Sequence, residues 1–233
     1  MTDIKSLTLN NNSPISDQIY AHLRSLIIKT GITPGTVISE NALSAIFNVS
    51  RQPVRVALNL LERDDLIEVF PQKSTVVKKI SVKNLKEVVF LRSAIECSCI
   101  DNIKNLSVQT YSSIIKDLQK NLEDQEKEVN TTRVVDNFFN LDDVFHENIS
   151  KFSQCEMTWP LIQSFKGHLD RIRFLTMDAE SPLRSLYLDH KEVFDAIVSY
   201  EYEKAKDLLR AHLREIVQTN IVVKDKYASW FED

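Results

Sequence analysis

Apolar residues recur at helical spacing along most of the chain, with one short stretch rich in β-branched and aromatic residues instead. The first helical pattern ends near Thr30-Gly31, where glycine is a frequent helix stop. Before residue 80, the predicted elements are a helix over 15–30, a short helix over 41–47, a helix that begins after Ser50, and strands over 66–70 and 75–77. A short helix, a turn, a second helix and a two-stranded wing form a DNA-reading module.

From Val82 onward the apolar positions keep helical periodicity almost to the end of the chain. Six helices are predicted, over 82–104, 108–128, 131–152, 156–178, 183–200 and 202–222. Antiparallel helices of this length form a bundle, and bundles often build ligand and metal sites in their interior. The predicted fold class is therefore mainly α, with an N-terminal winged helix-turn-helix and a C-terminal all-helical bundle.

The helix that follows Ser50 has two different faces. Ser50 is a good N-cap whose hydroxyl can accept an N–H of the first turn, and Pro53 is tolerated there because no intrahelical bond is lost. One face carries Val54, Ala57, Leu58 and Leu61, and the other carries Arg51, Gln52, Arg55 and Asn59. Arginine can grip guanine with two hydrogen bonds, and glutamine or asparagine can do the same for adenine. By itself this pattern is that of an ordinary amphipathic helix. The short helix before it and the two-stranded wing after it favour a helix that lies in the DNA major groove.

Residues 14–80 resemble the winged-helix domain of the GntR family of bacterial transcription regulators. The motif residues are Pro34-Gly35, Ser39-Glu40, Ser50-Arg51-Gln52-Pro53-Val54-Arg55 and Ala57-Leu58. We expect Arg51, Gln52 and Arg55 to read bases and Ser39, Ser50 and Lys73 to contact the DNA backbone, with Pro53 in the same DNA-binding segment. The chain departs from the family at Asp65 and at Ser74 of the wing tip, where glycine is usual.

Composition and charge agree with two compact domains, predicted at 1–80 and 81–233. Residues 1–80 hold 9 Lys and Arg against 7 Asp and Glu, whereas residues 81–233 hold 20 against 26. This asymmetry fits a DNA-facing N-terminus beside an acidic body. Three cysteines without metal-finger spacing indicate buried free thiols, and no apolar run reaches membrane-spanning length. We expect a cytoplasmic protein.

A candidate metal site lies in the bundle. Asp142 and His146 are four residues apart, which places both side chains on one helical face, whereas Asp143 lies about 100° round the helix. His190 and His212 occupy similar positions on later helices, each flanked by apolar residues. One carboxylate and three imidazoles suit Zn, Ni, Mn or Fe. Periodicity alone leaves two alternatives open, a metal site and a set of hydrogen-bonded core histidines.

Residues 82–222 resemble the FadR-type ligand-sensing domain called FCD. The similarity lies in Arg92 and Glu96, in the Asp142-x-x-Phe145-His146 motif, and in the last helix around His212. The resemblance implies a divalent metal ion held by Asp142, His146, His190 and His212. His168 falls outside this pattern. Four residues are candidates to hold an anionic effector, although salt bridges to the bundle acids explain the arginines equally well: Arg92, Asn148, Arg171 and Arg173.

The sequence thus predicts a homodimeric transcription regulator, a repressor on an inverted-repeat operator, that responds to a small organic acid. It is not expected to be an enzyme. A metal-dependent hydrolase is the rival class, because the same four ligands could activate water. A third alternative is a metal-independent sensor of an acyl-type ligand, in which the histidines are structural.

Overall fold

The structure is a computed structural model, which describes residues 4, 7–70, 74–131, 135–180 and 183–232, without the side chains of 178–180 and 218–222. The chain divides into two compact units. Unit 1 comprises Met1–Asn84, Ser164–Ile172 and Lys224–Asp233, and unit 2 comprises Leu85–Gln163 and Arg173–Val223. The domain boundary predicted near residue 80 stays a prediction.

Unit 1 contains the winged helix that the sequence predicts. Its elements are α1 (Ile15–Ile28), β1 (Val37–Ile38), α2 (Glu40–Phe47), α3 (Arg51–Arg63), β2 (Ile67–Phe70) and β3 (Ser74–Val77). The strands form an antiparallel sheet in the order β1-β3-β2, so the wing has one strand more than predicted. Gly35, whose φ of 79° is in the left-handed region, turns the chain into β1 and donates its N–H to Val77.

Local hydrogen bonds define the α2–turn–α3 segment. Ser39 caps α2, because its hydroxyl accepts the N–H of Ala42 at 3.3 Å. Asn48 ends α2 with a φ of 52°, a conformation that asparagine tolerates better than most residues. Ser50 occupies the N-cap position of α3, but its hydroxyl makes no capping bond among the described residues. The predicted capping bond is therefore wrong, and the Ser50 hydroxyl stays exposed.

Unit 1 also contains elements that the sequence did not predict. Strand β4 (Ile80–Ser81) pairs in parallel with β5 (Phe231–Glu232), which follows the last helix. His168 accepts the N–H of Ser81 at Nδ1 and contacts the backbone oxygen of Asp65 through Nε2 at 2.9 Å. His168 is thus hydrogen-bonded within unit 1, which agrees with its omission from the predicted ligand set.

Seven α-helices follow β4 in the described chain. They are α4 (Val82–Asp101), α5 (Val108–Asn130), α6 (Val135–Lys151), α7 (Thr158–Phe165), α8 (Gly167–Glu180), α9 (Leu183–Val198) and α10 (Tyr202–Lys226). The prediction of one helix over 156–178 is wrong, because the chain breaks at Lys166 between α7 and α8. Within unit 2, α5 packs against both α6 and α9. No helix among the described residues has the length and apolar character needed to cross a membrane.

Candidate functional site

The four predicted metal ligands come together in unit 2. Asp142 and His146 extend from α6, His190 from α9 and His212 from α10. One ligand atom of each lies within 4.8 Å of all the others. The Nε2 atoms of His190 and His212 are 3.2 Å apart, and the carboxylate of Asp142 lies 3.7 Å from His146 Nε2 and 3.8 Å from His190 Nε2. The i, i+4 argument on α6 and the choice of the two later histidines thus converge on one cluster.

The other nitrogen of each imidazole, Nδ1, faces an oxygen of a neighbouring side chain. These contacts are His146 to Glu96 at 2.7 Å, His190 to Gln125 at 2.9 Å and His212 to Asp189 at 3.2 Å. Because a carboxylate or amide oxygen can only accept, each Nδ1 must carry the hydrogen. In a neutral ring, Nε2 then has a lone pair that faces the centre of the cluster, which is the arrangement of metal-bound histidines.

Burial favours the neutral form of two of the imidazoles. Burial lowers the pKa of His146, and it holds the pKa of His190 well below its usual range, with a further contribution from the neighbouring histidines. Burial alone would raise the pKa of Glu96, but Arg92 and His146 outweigh it and lower that pKa to about 2. Neutral imidazole and ionised carboxylate are the forms of these side chains that bind a metal ion.

Two of the predicted effector-binding arginines lie beside this cluster. Arg173 forms ion pairs with Asp142 and, at 2.9 Å, with Asp143, and its guanidinium lies 4.9 Å from the centre of the Phe139 ring. Arg92 donates from Nε to Glu96 at 2.7 Å, while its buried Nη2 has no hydrogen-bond partner among the described residues. Arg92 therefore has an unused donor in a buried position next to a histidine-bound carboxylate.

The other two candidates have different surroundings. Arg171 lies in unit 1, where it donates to the backbone oxygen of Lys78 at 2.8 Å and where burial lowers its pKa to about 10. Asn148 is buried on α6, and its side-chain oxygen accepts from Lys151 at 2.7 Å. These hydrogen bonds join the two residues to groups other than the four predicted metal ligands.

On α3, the polar face predicted for DNA is exposed. Arg51, Gln52 and Arg55 are exposed and Pro53 is half-buried, while the apolar stripe of the helix is buried in unit 1. Arg55 makes two contacts with Glu40 of α2, from Nε at 3.2 Å and from Nη2 at 2.9 Å. Lys73, the predicted backbone contact of the wing, lies outside the described residues.

Sequence reasoning missed the residues that orient the imidazoles of His190 and His212. Gln125 and its neighbour Asn121 are buried on α5, four residues apart. Two amides on the same buried face as Leu118 and Leu122 are a detectable signal, because a buried amide requires hydrogen-bond partners. Asp189 carries no such signal, because it precedes His190 in the sequence but contacts His212.

Comparisons with known proteins agree with both parts of the structure. Residues 15–77 match the family described as "Bacterial regulatory proteins, gntR family", and residues 87–215 match the FCD domain. The chain is 33% identical over 225 residues to the HTH-type transcriptional repressor RspR of Escherichia coli strain K12, and the alignment covers 97% of each chain.

Solved structures show the same fold. A putative GntR transcriptional regulator from Rhodococcus sp. RHA1 superposes with a TM-score of 0.72 at 19% identity, covering 88% of this chain and 97% of that one. E. coli McbR/YncC gives a TM-score of 0.70 at 20% identity, covering 92% and 98%. The resemblance inferred from the motifs is confirmed: this chain belongs to the GntR family of bacterial transcription regulators and carries an FCD domain after its winged helix.

Proposed function

We propose that this protein is a homodimeric repressor whose FCD domain binds a divalent metal ion through Asp142, His146, His190 and His212. The observation that carries the proposal is the convergence of three imidazole nitrogens and a carboxylate from three buried residues and the half-buried His212. Because each Nδ1 faces an acceptor, the neutral forms of His190 and His212 would point their Nε2 lone pairs at each other across 3.2 Å. A cation relieves this repulsion of lone pairs, and Zn, Ni, Mn or Fe fits the donor set.

The charge around the cluster supports a small carboxylic acid as effector. A divalent ion held by one carboxylate and three neutral imidazoles keeps a net positive charge and open positions that can take a carboxylate. The unpartnered Nη2 of Arg92 supplies a buried donor for an anion. Arg173 lies against the Asp142 carboxylate and can pair with a second anionic group. Arg171 and Asn148 stay candidates, with their present partners as competitors.

In the DNA-binding part, Arg51, Gln52 and Arg55 would read base edges from the exposed face of α3, beside Pro53. The Ser50 hydroxyl is exposed, while that of Ser39 already accepts a backbone N–H and has a lone pair left. With Lys73 of the wing, these two serines would contact phosphates. Arg55 must leave Glu40 to reach a base, which its exposed position permits.

An exposed stripe on α4 supports the homodimer. Phe90 is 72% exposed and Leu91 is 42% exposed, which is unusual for large apolar side chains. Ala94 and Ser98 continue the exposed side of the helix at intervals of about one turn, and such small residues let a second helix approach closely. A second copy of α4, related by a two-fold axis, would cover the stripe, and the same axis would relate two copies of α3 as an inverted repeat requires.

The test is operator binding by tag-free protein, measured by fluorescence anisotropy on the DNA upstream of its own gene. The protein is used metal-loaded and chelator-treated, with a panel of small mono- and dicarboxylic acids. We expect specific DNA binding that an acid changes only when metal is present, because the acid must favour one conformation over another. A response that survives chelation would support an acyl-type, metal-independent sensor instead, and the absence of specific DNA binding would overturn the proposal.

A further inference from the structure

His190 differs from the other two histidines of the cluster in the group that faces its Nδ1. Carboxylates of Glu96 and Asp189 face the other two, whereas the side-chain amide of Gln125 faces His190 at 2.9 Å. A carboxylate presents an acceptor whichever way it turns. An amide has a donor end and an acceptor end, and the two orientations would select opposite imidazole tautomers. Another group must therefore fix which end of the Gln125 amide faces His190.

Asn121 fixes the orientation of the Gln125 amide through hydrogen bonds. The NH₂ group of Gln125 donates to the side-chain oxygen of Asn121 at 2.7 Å, and the NH₂ group of Asn121 donates to the backbone oxygen of Leu141 at 2.9 Å. A backbone oxygen can only accept, so Asn121 must turn its own oxygen toward Gln125. Gln125 must then turn its oxygen toward His190. Gln125 is 0% exposed and Asn121 is 4% exposed, so water does not compete for these bonds.

We infer that Asn121 and Gln125 are positioning residues that hold His190 with its hydrogen on Nδ1 and thereby keep its Nε2 free for the metal ion. In the opposite tautomer the hydrogen would sit on Nε2, which lies 3.2 Å from His212 Nε2 and 3.8 Å from Asp142. His190 would then donate a hydrogen bond to His212, and the two Nε2 atoms would be paired with each other without a metal ion. The side-chain amides of Asn121 and Gln125 prevent this hydrogen bond, because they keep the hydrogen of His190 on Nδ1. The inference rests on the proposed metal site.

The experiment uses the full-length, metal-free protein with ¹⁵N-labelled histidine, and NMR reports which ring nitrogen carries the hydrogen. We expect His190 in the Nδ1–H form in the wild type. Zn²⁺ affinity is then measured by competition with a chromophoric chelator. Gln125→Met, which removes the acceptor, should weaken Zn²⁺ binding about 10- to 100-fold. The same change at Gln119, exposed on the same helix, is the matched control and should leave the affinity unchanged.

A double-mutant cycle separates orientation from packing. Gln125→Glu supplies an acceptor in either orientation, so Asn121→Leu should weaken Zn²⁺ binding in the wild type but not in this background. An equal loss in both backgrounds would reduce Asn121 to a packing role and overturn the inference, as would a wild-type His190 with its hydrogen on Nε2. Wild-type protein that binds no Zn²⁺ would instead refute the proposed metal site, while the tautomer measurement would still decide the inference.

Discussion

The melting temperature of this protein should rise with the concentration of free metal ion and fall when the metal is removed. The four proposed ligands come from three helices, α6, α9 and α10, so the site exists only when unit 2 is folded. An ion that binds the folded chain and not the unfolded chain raises the free energy of unfolding as its concentration exceeds the dissociation constant. Without the ion, no cation lies between the Nε2 atoms of His190 and His212, which are 3.2 Å apart.

The size of the effect follows from linkage. At a free metal concentration of about 100 times the dissociation constant, binding adds about 2.7 kcal/mol to the free energy of unfolding. For a chain of this length, about 1 kcal/mol moves the melting temperature by roughly 2–4 °C. Free metal at about 100 times the dissociation constant should therefore raise the melting temperature by about 5–11 °C, and each further tenfold increase in concentration should add about 3–6 °C.

The assay is differential scanning calorimetry of chelator-treated, tag-free protein over a series of Zn²⁺ concentrations. His212→Ala removes one ligand and should abolish the dependence on metal. His22→Ala is the control, because His22 lies on α1 in unit 1 and contacts Phe47, so its loss should leave the metal-induced shift intact. A wild-type melting temperature that is independent of Zn²⁺, or the same shift in His212→Ala, would refute the proposed ligand set.

Three further predictions concern unit 1. Arg55→Ala should weaken operator binding roughly 5- to 150-fold and relax selectivity at one base pair, as measured by anisotropy on single-base operator variants. Gly167→Ala should lower the free energy of unfolding by about 1–3 kcal/mol in urea titrations, because its Cβ would lie 2.8 Å from the side chain of the buried Leu66. The free energy of unfolding of Asp65→Gly should rise relative to that of the wild type as pH falls. The reason is that a hydrogen bond from His168 and an ion pair with Lys78 lower the pKa of Asp65 to about 2. The carboxylate therefore contributes stability above about pH 4 that is lost toward about pH 2.

Each of these predictions has a result that would contradict it. Arg63→Ala, the charge-matched control in the last turn of α3, should leave base selectivity unchanged; an equal loss of selectivity there would remove Arg55 as a base reader. A higher urea midpoint for Gly167→Ala would show that Leu66 moves aside without cost. A stability difference between wild type and Asp65→Gly that stays constant from about pH 7 to about pH 3 would show that the carboxylate contributes nothing.

The parts of the molecule that could be predicted from sequence are those governed by local spacing and motif. The two faces of α3 follow from helical periodicity, and the pair of ligands on α6 follows from the i, i+4 relation between Asp142 and His146. His190 and His212 needed the family resemblance, because periodicity could not distinguish ligands from core histidines. The structure brings all four together.

The parts that could not be predicted depend on contacts between distant residues. Glu40 reaches Arg55 from the preceding helix, so a helical wheel of α3 shows a face without an acid. Strands β4 and β5 have two residues each, too few for an alternating pattern, and they pair across nearly the whole length of the bundle sequence. The break between α7 and α8 occurs at Lys166, before a glycine whose importance comes from its closeness to Leu66.

X-ray absorption spectroscopy of Zn²⁺-loaded, tag-free protein tests the central claim most directly. The proposed coordination predicts three imidazole nitrogens at about 2.0–2.1 Å and a carboxylate oxygen at about 2.0–2.2 Å from the ion, with no sulfur. Loss of one imidazole from the spectrum of His190→Ala would assign the ligand to its residue. A sulfur scatterer near about 2.3 Å, or fewer than three imidazoles in the wild type, would contradict the proposed metal site.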